Sequence, residues 1–268
     1  MKTIIRLIGT ILCAALLTNE SWAFSSQPAT ASGFPPERII AFAKQVEKAL
    51  AAQGARVAIV ARIGRPLNEL PEGMRYTHTG FAVYSRITTA DHRVVPGYAM
   101  YNLYQSESEP DRSSLVQDFP ADFFSGVQLL EAGVVIPSPE LQERLLGVIQ
   151  SPTYVALHSP RYSAIANPFN LALQNCTEYV LDVVFAAIYA TEDPRQIKAN
   201  EQAYFVPQPV KVNSFKLLLG SIFTSDIAIS DQNGPPVTAT FSTIASFLEE
   251  YDNATLLTIT ERVTAGSD

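Results

Sequence analysis

Over residues 36–53 the apolar side chains recur at Ile39, Ile40, Phe42, Val46 and Leu50, a helical period that predicts an amphipathic helix. Pro36 suits its first turn and Gly54 its end. The pattern then changes. Residues 56–63 (RVAIVARI) are dense in β-branched side chains and read as a buried strand. Residues 76–87 and 94–105 read as the two strands of a hairpin around a polar turn at 88–93. A charged loop over 107–114, a helix over 121–130 and a short strand over 134–136 follow. Residues 138–149 form a helix with Ser138 as its cap and Glu140 in its first turn. The stretch 151–174, interrupted by Pro152, Pro160 and Pro168, reads as a long irregular connection, and such loops in compact domains are often functional. Asn175 opens a further helix running to about Ala190. Glu178 is placed to complete a capping box, and Val180, Val183, Val184, Ala187 and Ile188 form an apolar face. Helices over 194–203, 214–223 and 242–251, with strands over 227–229 and 256–260, complete the expected series.

The start of the chain has a different pattern. Lys2 and Arg6 precede a mostly apolar run over 4–17, and Ser21-Trp22-Ala23 places small residues where a signal peptidase reads them. Residues 1–23 are therefore expected to be a cleavable signal peptide, with an uncleaved membrane anchor as the rival reading. Leu12 before Cys13 is not the small residue that a lipoprotein site needs, so no lipid is expected. Residues 24–35 read as a flexible lead-in and 36–268 as a single domain. No later run approaches the roughly 18 apolar residues of a membrane helix, so no integral membrane segment is expected after cleavage. The expected location is the periplasm. With a net charge of −7 and no basic run, the chain is not expected to bind nucleic acid or anionic membrane.

Export makes the cysteine count informative. Only Cys176 would survive processing, so no intrachain disulfide can form. With three histidines, no CxxC and no HExxH, no metal site is expected. There is no Gly-rich phosphate loop or GxSxG elbow, and no cofactor is expected. Cys176 falls at the first residue of the Asn175-capped helix, where unpaired N–H groups favour a thiolate. The plainer reading is a buried structural cysteine, since free cysteines are among the most buried residues. His78, in Thr77-His78-Thr79-Gly80-Phe81, is the candidate base, and Gly80 leaves room for close approach on that strand. An ordinary surface or capping histidine is the alternative. With the hairpin turn centred near Ala90, position 78 faces 102, which makes Asn102 the candidate third residue. A half-residue shift would substitute Tyr101 or Leu103. His92 is the second choice, and His158 lies outside the constellation.

A strand beginning His-x-Gly-apolar, followed much later by Asn-Cys at a helix start, resembles the circularly permuted papain-like hydrolases. These include the NlpC-type amidases and peptidases and the lecithin:retinol acyltransferase-like enzymes. The stretches 76–83, 135–141 and 167–182 (NPFNLALQNCTEYVLD) are similar to a family of exported bacterial proteins known as a domain of unknown function. These resemblances imply an α+β, circularly permuted papain-like (NlpC-type) fold, with an antiparallel sheet packed on helices. The function expected is cysteine-dependent acyl transfer, with Cys176 as nucleophile, His78 as base and Asn102 orienting it. Gln174 is a candidate oxyanion donor, with a solvated loop amide as the plainer reading. Tyr162 and Asn167 are candidates to line a substrate groove. The implied substrate is a cell-envelope amide or peptide, such as a peptidoglycan stem. The competing class is a non-catalytic periplasmic binding or structural protein on the same scaffold. A redox role lacks a second cysteine.

Overall fold

The computed structural model describes residues 33–89, 91–211 and 227–262. The expected leader, most of the lead-in, the turn centre at Ala90 and the helix expected over 214–223 lie outside the described residues. Six strands form one antiparallel sheet: β1 Val57–Ile63, β2 His78–Thr88, β3 Val94–Gln105, β4 Ser113–Asp118, β5 Leu129–Ile136 and β8 Thr255–Thr260. Their order is β4-β3-β2-β1-β5-β8, and β6 Gln208–Pro209 pairs with β7 Val237–Thr238 separately. The described helices are α1 Pro36–Ala52, α2 Pro120–Phe123, α3 Pro139–Ile149, α4 Pro152–Ala156, α5 Cys176–Tyr189, α6 Pro194–Tyr204 and α7 Phe241–Asp252. The class is mixed α+β.

Helices cover both faces of the sheet, which is why β1 is buried along its whole length and apolar apart from Arg62 rather than alternating. Ile59, Ala61, Phe81 and Val83 face a core shared with α3, α5 and α7, where Leu145, Val184, Ile244 and Leu248 are buried. Ala58, Val60, Ala82 and Met100 face the other core, with Phe42, Val46 and Leu50 of α1 and Phe123 of α2. The stripe expected for the first helix is the one α1 buries, except that Ile40 is half exposed. Ser138 caps α3 by accepting from the Leu141 N–H at 3.2 Å. Its own N–H and hydroxyl donate to Asp252, which ties α3 to the end of α7.

Three expectations need correction. The helix expected over 121–130 is one turn long, and Leu129 and Leu130 instead open β5 between β1 and β8. Tertiary pairing on both sides outweighs a helical spacing of apolar residues there. Ser113–Asp118, whose first two residues fall in the loop expected over 107–114, is the edge strand β4; edge strands carry polar residues that mask their period. No strand forms at 227–229, where Ile227 packs with Ile165 and Val210 under a loop. The long connection over 151–174 also contains α4, capped by Ser151.

Gly133 of β5 allows two rings to meet above the sheet. An added Cβ would lie 2.5 Å from Phe241 Cε1 and 2.7 Å from Tyr76 Cζ. Those rings are an edge-to-face pair 4.8 Å apart, and the Tyr76 hydroxyl is fixed on Glu131. Gly133→Ala is therefore expected to destabilise the fold by about 1–3 kcal/mol through overpacking. The change would appear as a lower urea midpoint at unchanged m-value; a wild-type midpoint would refute it.

Candidate active site

Cys176 is the first residue of α5. The Asn175 Oδ1 accepts from the N–H groups of Thr177 at 3.0 Å and Glu178 at 2.9 Å, and its Nδ2 donates to Ala164 O and Thr238 Oγ1. The cap is thus held by two further segments, and the helix start is rigidly placed. The reciprocal half of the expected capping box does not form, because the Glu178 carboxylate turns inward to Lys198. Cys176 is 4% exposed and packs in the α5-side core. Burial pushes its thiol pKa up. The N–H of Thr79, the hydroxyl of Thr177 (3.7 Å from Sγ), the charge of Arg62 and the N–H of Thr177 all pull the other way. Thr79 follows His78 directly, so the fold brings the His78 strand to the mouth of α5.

That meeting occurs at a fork in the sheet. The ladder between β2 and β3 stops at Phe81↔Tyr101 although both strands continue. The start of β2 stays with β1, where Arg62 pairs with His78, and the end of β3 stays with β4, where Asn102 pairs with Val116. The hairpin is centred one residue later than expected, so Asn102 lies level with Gly80 rather than opposite His78. Its amide reaches His78 by lying across the glycine: an added Cβ on Gly80 would be 2.3 Å from Asn102 Oδ1.

His78 is fully buried. Its neighbours Phe81 and Val83 define the α5 side of β2, and His78 belongs to the opposite set, with Ala82. The ring stacks on Tyr104 at 4.7 Å and meets Phe123 of α2 at 5.3 Å. Its Nε2 lies 3.2 Å from Asn102 Oδ1, the Asn102 Nδ2 donates to Asp118 Oδ1 at 2.8 Å, and the Tyr104 hydroxyl donates to Asp118 Oδ2 at 2.9 Å. Since Nδ2 faces Asp118, Oδ1 is the atom presented to the ring. The proton therefore sits on Nε2 and the lone pair on Nδ1. Nδ1 is buried without a hydrogen-bond partner. Burial, then the charge of Arg62, hold the His78 pKa well below the ordinary range. Burial pushes Asp118 up to about 6, against the hydrogen bond from Tyr104. Arg62 is itself buried, bonded to Phe123 O and set over the rings of Phe123 and Tyr104.

The structure thus joins His78 to Asn102 and brings the backbone of that strand to Cys176, but no hydrogen bond links the imidazole to the sulfur. Gln174 does not offer a free donor. Its amide hydrogens go to Leu157 O and Asp182 Oδ2, and its Oε1 accepts from Ser159 N–H. Tyr162 is a core residue in the same cluster as Cys176 rather than the wall of an open groove. Asn167 pins its own loop, donating twice to Asp231 and accepting from Phe169 N–H. His92 lies in the hairpin turn at φ 61°, and His158 is bonded to Ser113 Oγ at 3.0 Å. Asp118 and Arg62 were missed because β4 was not recognised and Arg62 sits in a strand otherwise read as apolar.

Residues 49–248 match the model of a family described as "Uncharacterized protein conserved in bacteria (DUF2145)". The chain belongs to this family. The match takes in His78, Asn102, Asp118 and Cys176 and ends inside α7, before β8. No curated protein and no solved structure matches the DUF2145 chain. Among its described residues, no helix is long and apolar enough to cross a membrane.

A second buried cluster of this DUF2145 chain underlies the approach to Cys176. Lys198 of α6 lies 2.8 Å from Glu178, 2.5 Å from Asp182 and 3.1 Å from Glu201, all four side chains being at least nine-tenths buried. Its ammonium sits where a cation would bind these acids. The adjoining cavity, lined by Gln174, Glu178, Asp182 and Lys198 among others, has about 30 Å³, room for a water but not for a substrate. One cation against three acids leaves excess negative charge. Burial, partly offset by Lys198, raises Glu178 to about 8, and burial and Asp182 raise Glu201 still more clearly. The folded state therefore holds protons that the unfolded chain has released. Stability from Glu178 is full below its ordinary pKa near 4.5 and is lost as pH rises toward 8. Relative to Glu178→Gln, wild type is expected to lose stability between about pH 5 and about pH 8. Parallel urea midpoints for the two proteins over that interval would count against this assignment.

Proposed function

We propose that this DUF2145 protein is an exported, periplasmic, cysteine-dependent acyl-transfer enzyme on a circularly permuted papain-like (NlpC-type) scaffold, acting on an amide or ester of the cell envelope. The observation that carries the reading is the paired state of His78. Its Nε2 is committed to Asn102, its Nδ1 keeps a lone pair, and the next N–H along the strand faces the Cys176 sulfur. The chain order, histidine strand before cysteine helix, supports the permuted arrangement.

The chemistry runs from the closed state. Cys176 is a buried, protonated thiol at rest, and because the His78 ring lies on the opposite side of β2 the mechanism requires the β2–β3 fork to open before sulfur and ring can meet. His78 Nδ1 takes the thiol proton, and the thiolate attacks the carbonyl carbon. Since the Asn175 cap takes the N–H groups of Thr177 and Glu178, the Cys176 backbone N–H is the donor offered to the developing oxyanion, in place of the committed Gln174 amide. The C–N or C–O bond then breaks as the His78 Nδ1 proton passes to the leaving group. Water then gives a proton to Nδ1 and its hydroxide to the acyl carbon, the C–S bond breaks to release the product, and the Nδ1 proton returns to sulfur to restore the thiol. Arg62 favours the thiolate and the neutral imidazole together, since its charge lowers both pKa values.

A non-catalytic binding or structural protein is the second reading, favoured by the burial of Cys176 and by the lack of a hydrogen bond from its sulfur to an imidazole. Intact-mass analysis after exposure to p-nitrophenyl acetate and to peptidoglycan stem peptides separates the two. The enzyme reading expects an acyl adduct on Cys176, none on Cys176→Ala, and acylation about 10²–10⁴-fold slower in His78→Ala. An unmodified Cys176, or acylation indifferent to His78, would leave only the binding reading.

A further inference from the structure

We infer that Asp118 is a positioning residue that sets the tautomer of His78, acting through the amide of Asn102. The inference rests on the hydrolase reading for its purpose, but the geometry it uses stands apart from any turnover.

An asparagine side chain has two nearly isosteric orientations, one presenting oxygen and the other nitrogen to a given neighbour. Asn102 lies between two such neighbours, His78 Nε2 at 3.2 Å and Asp118 Oδ1 at 2.8 Å. An ionised carboxylate only accepts, so Asp118 requires Nδ2 on its side and thereby turns Oδ1 toward the ring. Oδ1 only accepts, so Nε2 must carry the ring proton. The basic lone pair is left on Nδ1, the nitrogen with no partner. Reversing the amide would set oxygen against carboxylate and nitrogen hydrogens against Nε2, which would move the ring proton to Nδ1 and remove the base. Asp118 is held for this task, since the Tyr104 hydroxyl binds its other oxygen at 2.9 Å. The groups that face it are Tyr104 from β3, Arg62 from β1, Asp122 from α2, and His78 through Asn102. The amide cannot move away from Gly80, because Asp118 and His78 hold its two ends. An alanine at position 80 would occupy the space of Oδ1.

The dependence on carboxylate charge is itself a signature. A protonated Asp118 can donate, and Asn102 then gains the reversed orientation. Burial pushes Asp118 up to about 6 while burial and Arg62 hold His78 well below its ordinary range, so as pH falls the carboxyl takes up its proton first and the reversed amide is allowed while the ring is still neutral.

The test is ¹⁵N NMR of the ring nitrogens in histidine-labelled protein, with His78 assigned by its loss in His78→Gln. Wild type at about pH 7.5 is expected to show one tautomer, protonated at Nε2. Asp118→Asn, whose side chain accepts or donates, is expected to lose that single state and show both tautomers. If that variant does not fold, wild type lowered to about pH 5 supplies the same comparison without a substitution. Tyr104→Phe, which leaves the Asn102–Asp118 bond in place, is expected to keep the Nε2–H form. Retention of one Nε2–H tautomer in folded Asp118→Asn, or in wild type at the lower pH, overturns the inference. A tautomer change with an inert Cys176 would instead uphold it while removing the hydrolase reading, so the two failures are distinguishable.

Discussion

The amide of Asn102 lying across Gly80 is the contact on which this site depends. Where an antiparallel ladder would continue, β2 and β3 part, and a side-chain amide takes over the bridging. Several features follow from that exchange. The freed strand start carries His78 with β1 and beside Arg62, the strand end carries Asn102 and Tyr104 with β4, and the Thr79 N–H is left to face a sulfur. A β2–β3 ladder continued past Phe81 would have consumed the Thr79 N–H in its own hydrogen bonds.

Electrostatics gives the fork its character. Arg62 is buried, and its positive charge acts on both sides of the sheet: it adds to burial in keeping the imidazole neutral on one face and opposes the protonation that burial imposes on Cys176 on the other. Placing a guanidinium in a core carries a desolvation cost of several kcal/mol, offset here by the Phe123 carbonyl and two aromatic faces. The acids around Lys198 are a separate design. Through Asp182 they hold Gln174, and Gln174 in turn fixes Leu157 and Ser159, so the loop leading into Cys176 is fastened to the α5–α6 core.

Much of this architecture was legible from local signals. Asn175 and Ser138 announced their helices because a cap is a matter of neighbouring residues. The hairpin was visible from its two long apolar runs, and residues 78 and 102 kept the same parity, so the His78–Asn102 partnership survived a one-residue error in the turn centre. What stayed hidden depends on distant segments. Leu129 and Leu130 become strand only because β1 and β8 flank them. Asp118 acquires meaning only from the pairing of β4 with β3. Glu178 looked like half of a local capping box, yet Lys198, brought in by α6, claimed its carboxylate. The Gln174 amide looked free for the same reason, its partners being remote or around a bend in the chain.

Gly80 also carries a consequence for the history of this chain. Its role has nothing to do with a left-handed backbone; what matters is the volume it leaves for a neighbour's oxygen. Any descendant that gains even a methyl group there must surrender the bridge between the two strands. The constraint runs one way: the asparagine can be lost with the glycine in place, whereas a side chain at position 80 would press on both the Asn102 amide and the Tyr101 carbonyl.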